Sequence, residues 1–349
     1  MASGYRRGAG LAVALAVAAG SAAACGGAAS PTRAASSTPI SATSAVPTAS
    51  PSPTSAPVSP ASVRANELGQ IPVLMYHQFL AKPIGVYDQT LAQFRAEITS
   101  LYAHGYRTIT AADLVAGKVD VPAGKKPMVL TFDDATVSQY GEMPDGTVDP
   151  KTAVGVLLAI ARRAGEEHPV ASFYVNEAPF AGRTSFLAKL HDLGMEVAEH
   201  TLTHANLREL DDAGVQAELV KGLKVITDAI PGVQVTTMAL PLGELPHNNR
   251  LASRGSSHGS AYHFAAVLAV GSNPTPSPYS ARFDPLYLPR IRSGLRTGDQ
   301  TFTSTDWLPQ LYSGKVTAYV SDGDPSHVSF PKAMAGRLSP KFASRARPY

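Results

Sequence analysis

The sequence predicts an α/β protein, a (β/α) barrel of seven to eight units, and three observations carry that prediction. Strand-like and helix-like segments alternate from Ile71 to Ile291. The strands are short, near-continuous apolar runs such as Met128-Val129-Leu130-Thr131-Phe132, the pattern of a parallel sheet covered on both faces. The residues able to do chemistry follow the C-terminal ends of such runs, where barrels assemble their sites. They are His77, Asp133, Asp134, Asn176, His200, His204 and Pro241-Leu242-Gly243. A doubly wound open sheet is the alternative, but no glycine-rich phosphate loop follows any strand.

Ile71-Pro72-Val73-Leu74-Met75-Tyr76 reads as the first strand and stops at His77. Leu91, Phe94, Ile98 and Leu101 recur at helical spacing, with Asp88 as N-cap and Gly105 as the stop. Tyr106 to Ile109 and Met128 to Phe132 are the next strands, and Leu157, Leu158 and Ile160 place a helix ending near Gly165. Val170 to Val175 is a strand, followed by a helix carrying Phe186, Leu187, Leu190 and Leu193, stopped by Gly194. Met195 to Glu199 leads into His200. Val215, Leu219, Leu223 and Ile226 then predict the longest helix, closed by Pro231-Gly232. Val235 to Leu240, Phe264 to Val270 and Leu286 to Ile291 complete the strands.

The ends of the 349-residue chain read differently. Arg6 and Arg7, the apolar run Leu11 to Ala19 and the small residues before Cys25 form an export signal over residues 1–25. The apolar run is too short for a membrane span of about 20 residues. Cys25 is the only cysteine, so no intramolecular disulfide can form. Its setting resembles a bacterial lipobox, with Ala22 where a leucine is usual, and predicts a lipid anchor on the outer face of the cytoplasmic membrane. Ordinary cleavage and free secretion is the alternative. Residues 26–69, rich in Ala, Ser, Thr and Pro, read as a disordered stalk, and residues 331–349 as a basic, poorly ordered tail. The folded domain is therefore expected over residues 70–330. A net charge of +3 is too small to argue for nucleic acid, and a monomer is expected.

Asp133-Asp134 alone would be turn punctuation, and His200-Thr201-Leu202-Thr203-His204 alone a coincidence in a chain with 10 histidines. Each stands at the end of its own apolar run, and together they make an open three-ligand set. One carboxylate and two imidazoles suit a catalytic Zn²⁺ with water in the fourth position, and Co²⁺ or Ni²⁺ suits the same donors. The carboxylate left over can act as a base on that water. These residues point to a metal-dependent hydrolase. Trp307, and His247, His258, His263 and His327, have bland readings as packing or surface residues.

From about Gln70 to Arg292 the chain resembles the polysaccharide deacetylases with a NodB-homology domain, carbohydrate esterase family 4. The first motif of that family, T-F-D-D-G, stands here as Thr131-Phe132-Asp133-Asp134-Ala135; the second, H-(S/T)-x-x-H, is intact at His200 to His204. The third, R-x-P-Y-G, is degraded to Ala239-Leu240-Pro241-Leu242-Gly243. The resemblance implies a distorted barrel that removes acetyl groups from N-acetylglucosamine units of an envelope or extracellular polymer. It implies Asp133 as general base, Asp134, His200 and His204 as metal ligands, and the Leu242 N–H as oxyanion donor. Met75-Tyr76-His77 resembles the circularly permuted poly-N-acetylglucosamine deacetylases, in which this histidine is the general acid. Arg290 and Arg292 are candidates to replace the missing motif arginine, with a rim salt bridge as the alternative for both. Asn176 is a candidate substrate contact or a turn cap. A glycoside hydrolase, a sugar-binding lipoprotein and a deacetylase-like protein that has lost activity remain the competing readings.

Overall fold

The computed structural model describes residues 58–271, 273–294 and 302–349. The predicted signal peptide, Cys25 and most of the predicted stalk lie outside the described residues. Eight parallel strands build the wall: β1 Val73–Tyr76, β2 Tyr106–Thr108, β3 Lys126–Asp133, β4 Ser172–Val175, β5 Glu196–Glu199, β6 Thr237–Ala239, β7 Ala266–Leu268 and β8 Ile291–Arg292. Their hydrogen-bonded order is β7-β6-β5-β4-β3-β1-β8, with β2 paired to the start of β3. Single parallel bridges, Leu268 to Leu288 and Gly271 to Ile291, bring the two ends of that order together and close a distorted barrel. β3 is the longest strand, and every residue in it after Lys126 is buried, as a strand covered on both faces requires.

The helices lie where apolar spacing put them. Helix α1, Leu91–Ala103, buries Phe94, Ile98, Leu101 and Tyr102. Its N-cap is Thr90 in a reciprocal capping box with Gln93, not Asp88, whose carboxylate is committed to the preceding loop. Helix α2, Ala111–Ala116, was not legible in the pattern because six residues carry too little periodicity. Helices α3 Ala153–Arg163, α4 Ser185–Asp192 and α5 Asp212–Ala229 match the expected apolar faces, and α6 Ser304–Tyr312 carries a partly buried Trp307 against the core.

Three expectations need correction. Leu286 to Ile291 is not one strand: Pro285 and Pro289 remove ladder donors, so Pro285–Tyr287 is a 3-10 turn, Leu288 makes a single bridge, and only Ile291–Arg292 forms a strand. The domain begins before residue 70. Ala65 and Leu68 are buried, Asn66 N–H donates to Val320 O at 2.8 Å, and a Cβ on Gly69 would stand 2.2 Å from Ala318 O. The basic tail is folded as well. Ala346–Pro348 pairs in parallel with Val328–Phe330, Phe342 packs edge-on against Tyr279 at 5.0 Å, and Tyr349 Oη donates to Ala65 O at 2.7 Å. Aromatic anchors hold this segment, and Arg345 stacks over Tyr279 at 5.2 Å rather than standing in solvent.

Candidate active site

The expected residues converge on the C-terminal rim. Asp133 is the last residue of β3, His77 follows β1, His200 follows β5 and Leu242 follows β6. Positive φ at non-glycine residues gathers at the same loops: Asp134 (69°), Ala135 (46°), Thr201 (63°), His204 (56°) and Leu242 (59°). Sparsely populated backbone of this kind persists where surrounding structure over-determines it, and it is found at functional sites. Ala135 stands in left-handed backbone where the motif it resembles has glycine, which explains that glycine without requiring it here.

Asp133 is 1% exposed and is gripped by Arg290, itself fully buried. Arg290 Nη1 donates to Asp133 Oδ1 at 2.7 Å and Nη2 to Oδ2 at 2.8 Å, a bidentate fork. Its Nε donates to Ala269 O at 2.9 Å, and its guanidinium lies 5.7 Å from the Tyr174 ring centre. Burial alone would push the Asp133 carboxyl up. The Arg290 charge and the two hydrogen bonds it donates outweigh burial and hold the group well below the usual carboxylate range, which favours the ionised form. Of the two candidate arginines, Arg290 is the one that reaches Asp133. Arg292 does not reach Asp133; its Nη1 donates to Val86 O and its guanidinium lies over the Tyr87 ring.

Beside this pair, Asp134, His200 and His204 bring one ligand atom each within 4.8 Å of one another. Asp134 Oδ1 is 3.6 Å from both His200 Nε2 and His204 Nε2. His200 Nδ1 lies 2.8 Å from Ala239 O. A carbonyl only accepts, so Nδ1 carries the proton and Nε2 keeps its lone pair. That Nε2 is buried and has no hydrogen-bond partner among the described residues, so its lone pair could serve a metal ion. Burial lowers the His200 pKa against the pull of Asp133 and Asp134, which favours the neutral, ligating form.

His77 Nε2 is 3.7 Å from Asp133 Oδ2, on the same face as the trio. Burial lowers its pKa, with Asp133 opposing. A groove of about 480 Å³ opens here, lined by His77, Tyr87, Asp88, Asp134 and Thr136 among others. Asn176 is half-buried after β4, and among the described residues no hydrogen bond ties it to this cluster. Sequence reasoning missed Gln139, which is fully buried and whose Nε2 donates to Asp133 O at 2.6 Å and His77 O at 2.8 Å. It clamps the two strand ends together. Nothing in Thr136-Val137-Ser138-Gln139 marks it, because its role depends on a strand end far away in sequence.

Residues 120–263 match the family model described as polysaccharide deacetylase. Over that stretch the chain is similar to the polysaccharide deacetylases. The matched stretch contains Asp133, Asp134, His200, His204 and Leu242, while His77 and Arg290 lie on either side of it. No curated protein matches the chain. Among solved structures, this chain is similar to the Streptococcus pyogenes deacetylase PplD in complex with acetate, at 16% identity and TM-score 0.48, covering 64% of this chain and 92% of that one. It is similar to IcaB from Ammonifex degensii at 17% identity and TM-score 0.47, covering 70% and 96%. A de-N-acetylase from Aggregatibacter actinomycetemcomitans gives 16% identity and TM-score 0.45, covering 66% and 97%. At these scores the likenesses add nothing to the strand order, on which the barrel stands.

Proposed function

We propose that the domain is a divalent-metal-dependent N-deacetylase acting on N-acetylglucosamine units within a polymer, of the circularly permuted kind. The observation that carries the reading is the Asp134, His200 and His204 trio beside an Asp133 held by Arg290. One carboxylate and two imidazoles, with the buried His200 Nε2 lone pair turned toward them, fit Zn²⁺, Co²⁺ or Ni²⁺. When bound, such an ion would polarise the acetyl carbonyl and acidify a water.

The chain's own residues would do the rest. Asp133, held in its carboxylate form before the reaction, would accept the proton of the attacking water through a lone pair that Arg290 does not occupy. The low basicity that Arg290 imposes suits a water that a bound ion would acidify. The Leu242 N–H, set at the rim by its left-handed backbone, donates to the oxygen on which negative charge develops. His77 in its imidazolium form, which the Asp133 charge favours against burial, would deliver a proton to the departing nitrogen, and the proton that Asp133 takes from water would replace it across 3.7 Å. The products are acetate and a glucosamine unit with a free amine. That His77 precedes the Asp-Asp pair in sequence supports the permuted assignment.

Acetate release from poly-N-acetylglucosamine and from peptidoglycan, with chelator and with metal restored, tests the reading. Chelator-sensitive release supports it. Metal binding without acetate from any acetylated glycan would instead mark a protein that has lost its activity. Anchoring through lipidated Cys25, with the domain acting as a monomer outside the cytoplasmic membrane, belongs to the same proposal. Unchanged membrane fractionation of Cys25→Ala would overturn the anchor.

A further inference from the structure

A catalytic histidine is ordinarily oriented by a hydrogen bond on the ring nitrogen that does not do the chemistry. His77 has none: its Nδ1 is buried and without a hydrogen-bond partner among the described residues. Its other nitrogen, at 3.7 Å from Asp133 Oδ2, is outside hydrogen-bond range. What the imidazole does have is a ring. Tyr87 packs on it with centroids 4.7 Å apart and planes inclined at 46°.

Tyr87 is 39% exposed, and a side chain so open to solvent would position nothing unless its backbone were fixed. The loop that carries it is built for that. At its base Leu80 N–H donates to Gln89 O at 2.8 Å and Gln89 N–H to Gln78 O at 3.2 Å, closing the loop where β1 leaves and α1 begins. At its tip Asp88 Oδ2 accepts from Ile84 N–H at 2.9 Å and Gly85 N–H at 2.8 Å. The third fastening comes from outside. Arg292, in β8, donates through Nη1 to Val86 O and sets its guanidinium 5.9 Å from the centre of the Tyr87 ring. β8 pairs with β1, with Arg292 opposite Met75, so the residue holding the loop is laddered to the strand that carries His77.

We propose that Tyr87 is the positioning residue of His77, and that Arg292 acts through the loop to hold Tyr87 in place. The imidazole is aimed by packing rather than by a hydrogen bond. This rests on the deacetylase reading with His77 as proton donor. Arg290 and Arg292, two residues apart, thus serve opposite ends of the chemistry: one holds the base and the other holds the wall that aims the acid.

The test compares an N-acetylated glucosamine oligomer, whose amine must be protonated to leave, with an acetyl ester of a good leaving group, which needs no acid. Misplacement of a reacting group by about 1 Å can cost 10²-fold, within the 10² to 10⁴ that a general acid contributes. Tyr87→Ala is therefore expected to lose roughly 10- to 100-fold in kcat on the oligomer. KM, ester turnover and metal content should be near wild type. Tyr87→Phe, which keeps the ring, should retain most of the rate, and Arg292→Gln should reproduce the amide-only loss. A rise in KM with kcat unchanged would make Tyr87 a substrate contact and overturn the proposal, as would equal losses on both substrates. If Tyr87→Ala proves unfolded by circular dichroism, the Arg292→Gln profile decides by the same criterion. His77→Ala is the control that separates the two layers. If it shows the amide-only loss while the Tyr87 and Arg292 variants do not, positioning fails and the acid stands. If it shows no such split, the acid assignment itself is wrong.

Discussion

Replacing Arg290 by methionine should be the most costly single change at the rim, with a cost that depends on pH in a calculable way. The guanidinium and the Asp133 carboxylate are both buried, 0% and 1% exposed. Breaking such a pair from one side costs about 3–5 kcal/mol, because the remaining charge stays buried. Protonation limits the damage. A carboxyl with an ordinary pKa near 3.9 can be kept neutral at pH 7 for about 4 kcal/mol, and at pH 5 for roughly 1.5 kcal/mol, at about 1.4 kcal/mol per pH unit. In the wild type the folded pKa is depressed, so the contribution of Asp133 is present above its unfolded value and constant from pH 5 to 7. In Arg290→Met burial is unopposed by that cation and the folded pKa rises, so stability is full below the unfolded value and is lost as pH climbs. The destabilisation should thus grow by roughly 2 kcal/mol between pH 5 and pH 7. Urea unfolding of both proteins in chelator, at the two pH values, measures it, and Asp133→Asn in the Arg290→Met background should recover most of the loss at pH 7. A cost under about 1 kcal/mol, or one independent of pH, would refute the reasoning that a buried unpaired carboxylate is at issue.

Glu67, 2% exposed beneath the C-terminal strands, is raised from 4.5 to about 7, chiefly by burial against the opposing backbone donor of Ser329. Because its folded pKa is raised, stability is full below 4.5 and is lost as pH rises through about 7, a change worth ~3 kcal/mol at about 1.4 kcal/mol per pH unit. Glu67→Gln should flatten that profile and exceed wild type at pH 8 in thermal melts; an unchanged profile would place the titration elsewhere. Gly222→Ala puts a Cβ 2.2 Å from Glu199 Oε1, beneath His200, and should cost about 1–3 kcal/mol as overpacking does, read as a drop in urea midpoint. Asp133→Asn should keep the metal and lose most hydrolysis, whereas Asp134→Asn should lose both by elemental analysis and acetate assay; a fully active Asp133→Asn would unseat the base.

The barrel and its rim were legible because apolar runs ending in polar residues are local patterns. Met128 to Phe132 announces both a buried strand and the place where Asp133 must sit. What stayed hidden was long-range or short. Arg290 against Arg292 is not resolvable from sequence, since both close one apolar run two residues apart and the carboxylate that singles out Arg290 lies 157 residues away. The stalk boundary failed because Ala65 to Gly69 is too short to show a periodicity, and its partners are residues near 320. The tail failed because its charge outweighed two aromatics, Phe342 and Tyr349, that do the anchoring. Tyr87 gave no sign at all, being an ordinary loop tyrosine until the fold sets it on His77.

The grip of Arg290 on Asp133 spans 157 residues and comes from the residue that leads into the final strand of the wall. A partly emerged chain can contain both histidines and both aspartates and still lack the counter-charge that lets Asp133 lie ionised in the interior. The segment matching the family model ends at residue 263, before that arginine. Readiness for hydrolysis is therefore a property of the finished ring, not of the stretch that bears the motifs. The last strand to dock arms the site, and a chain cut short of it would carry the complete signature and stay inert.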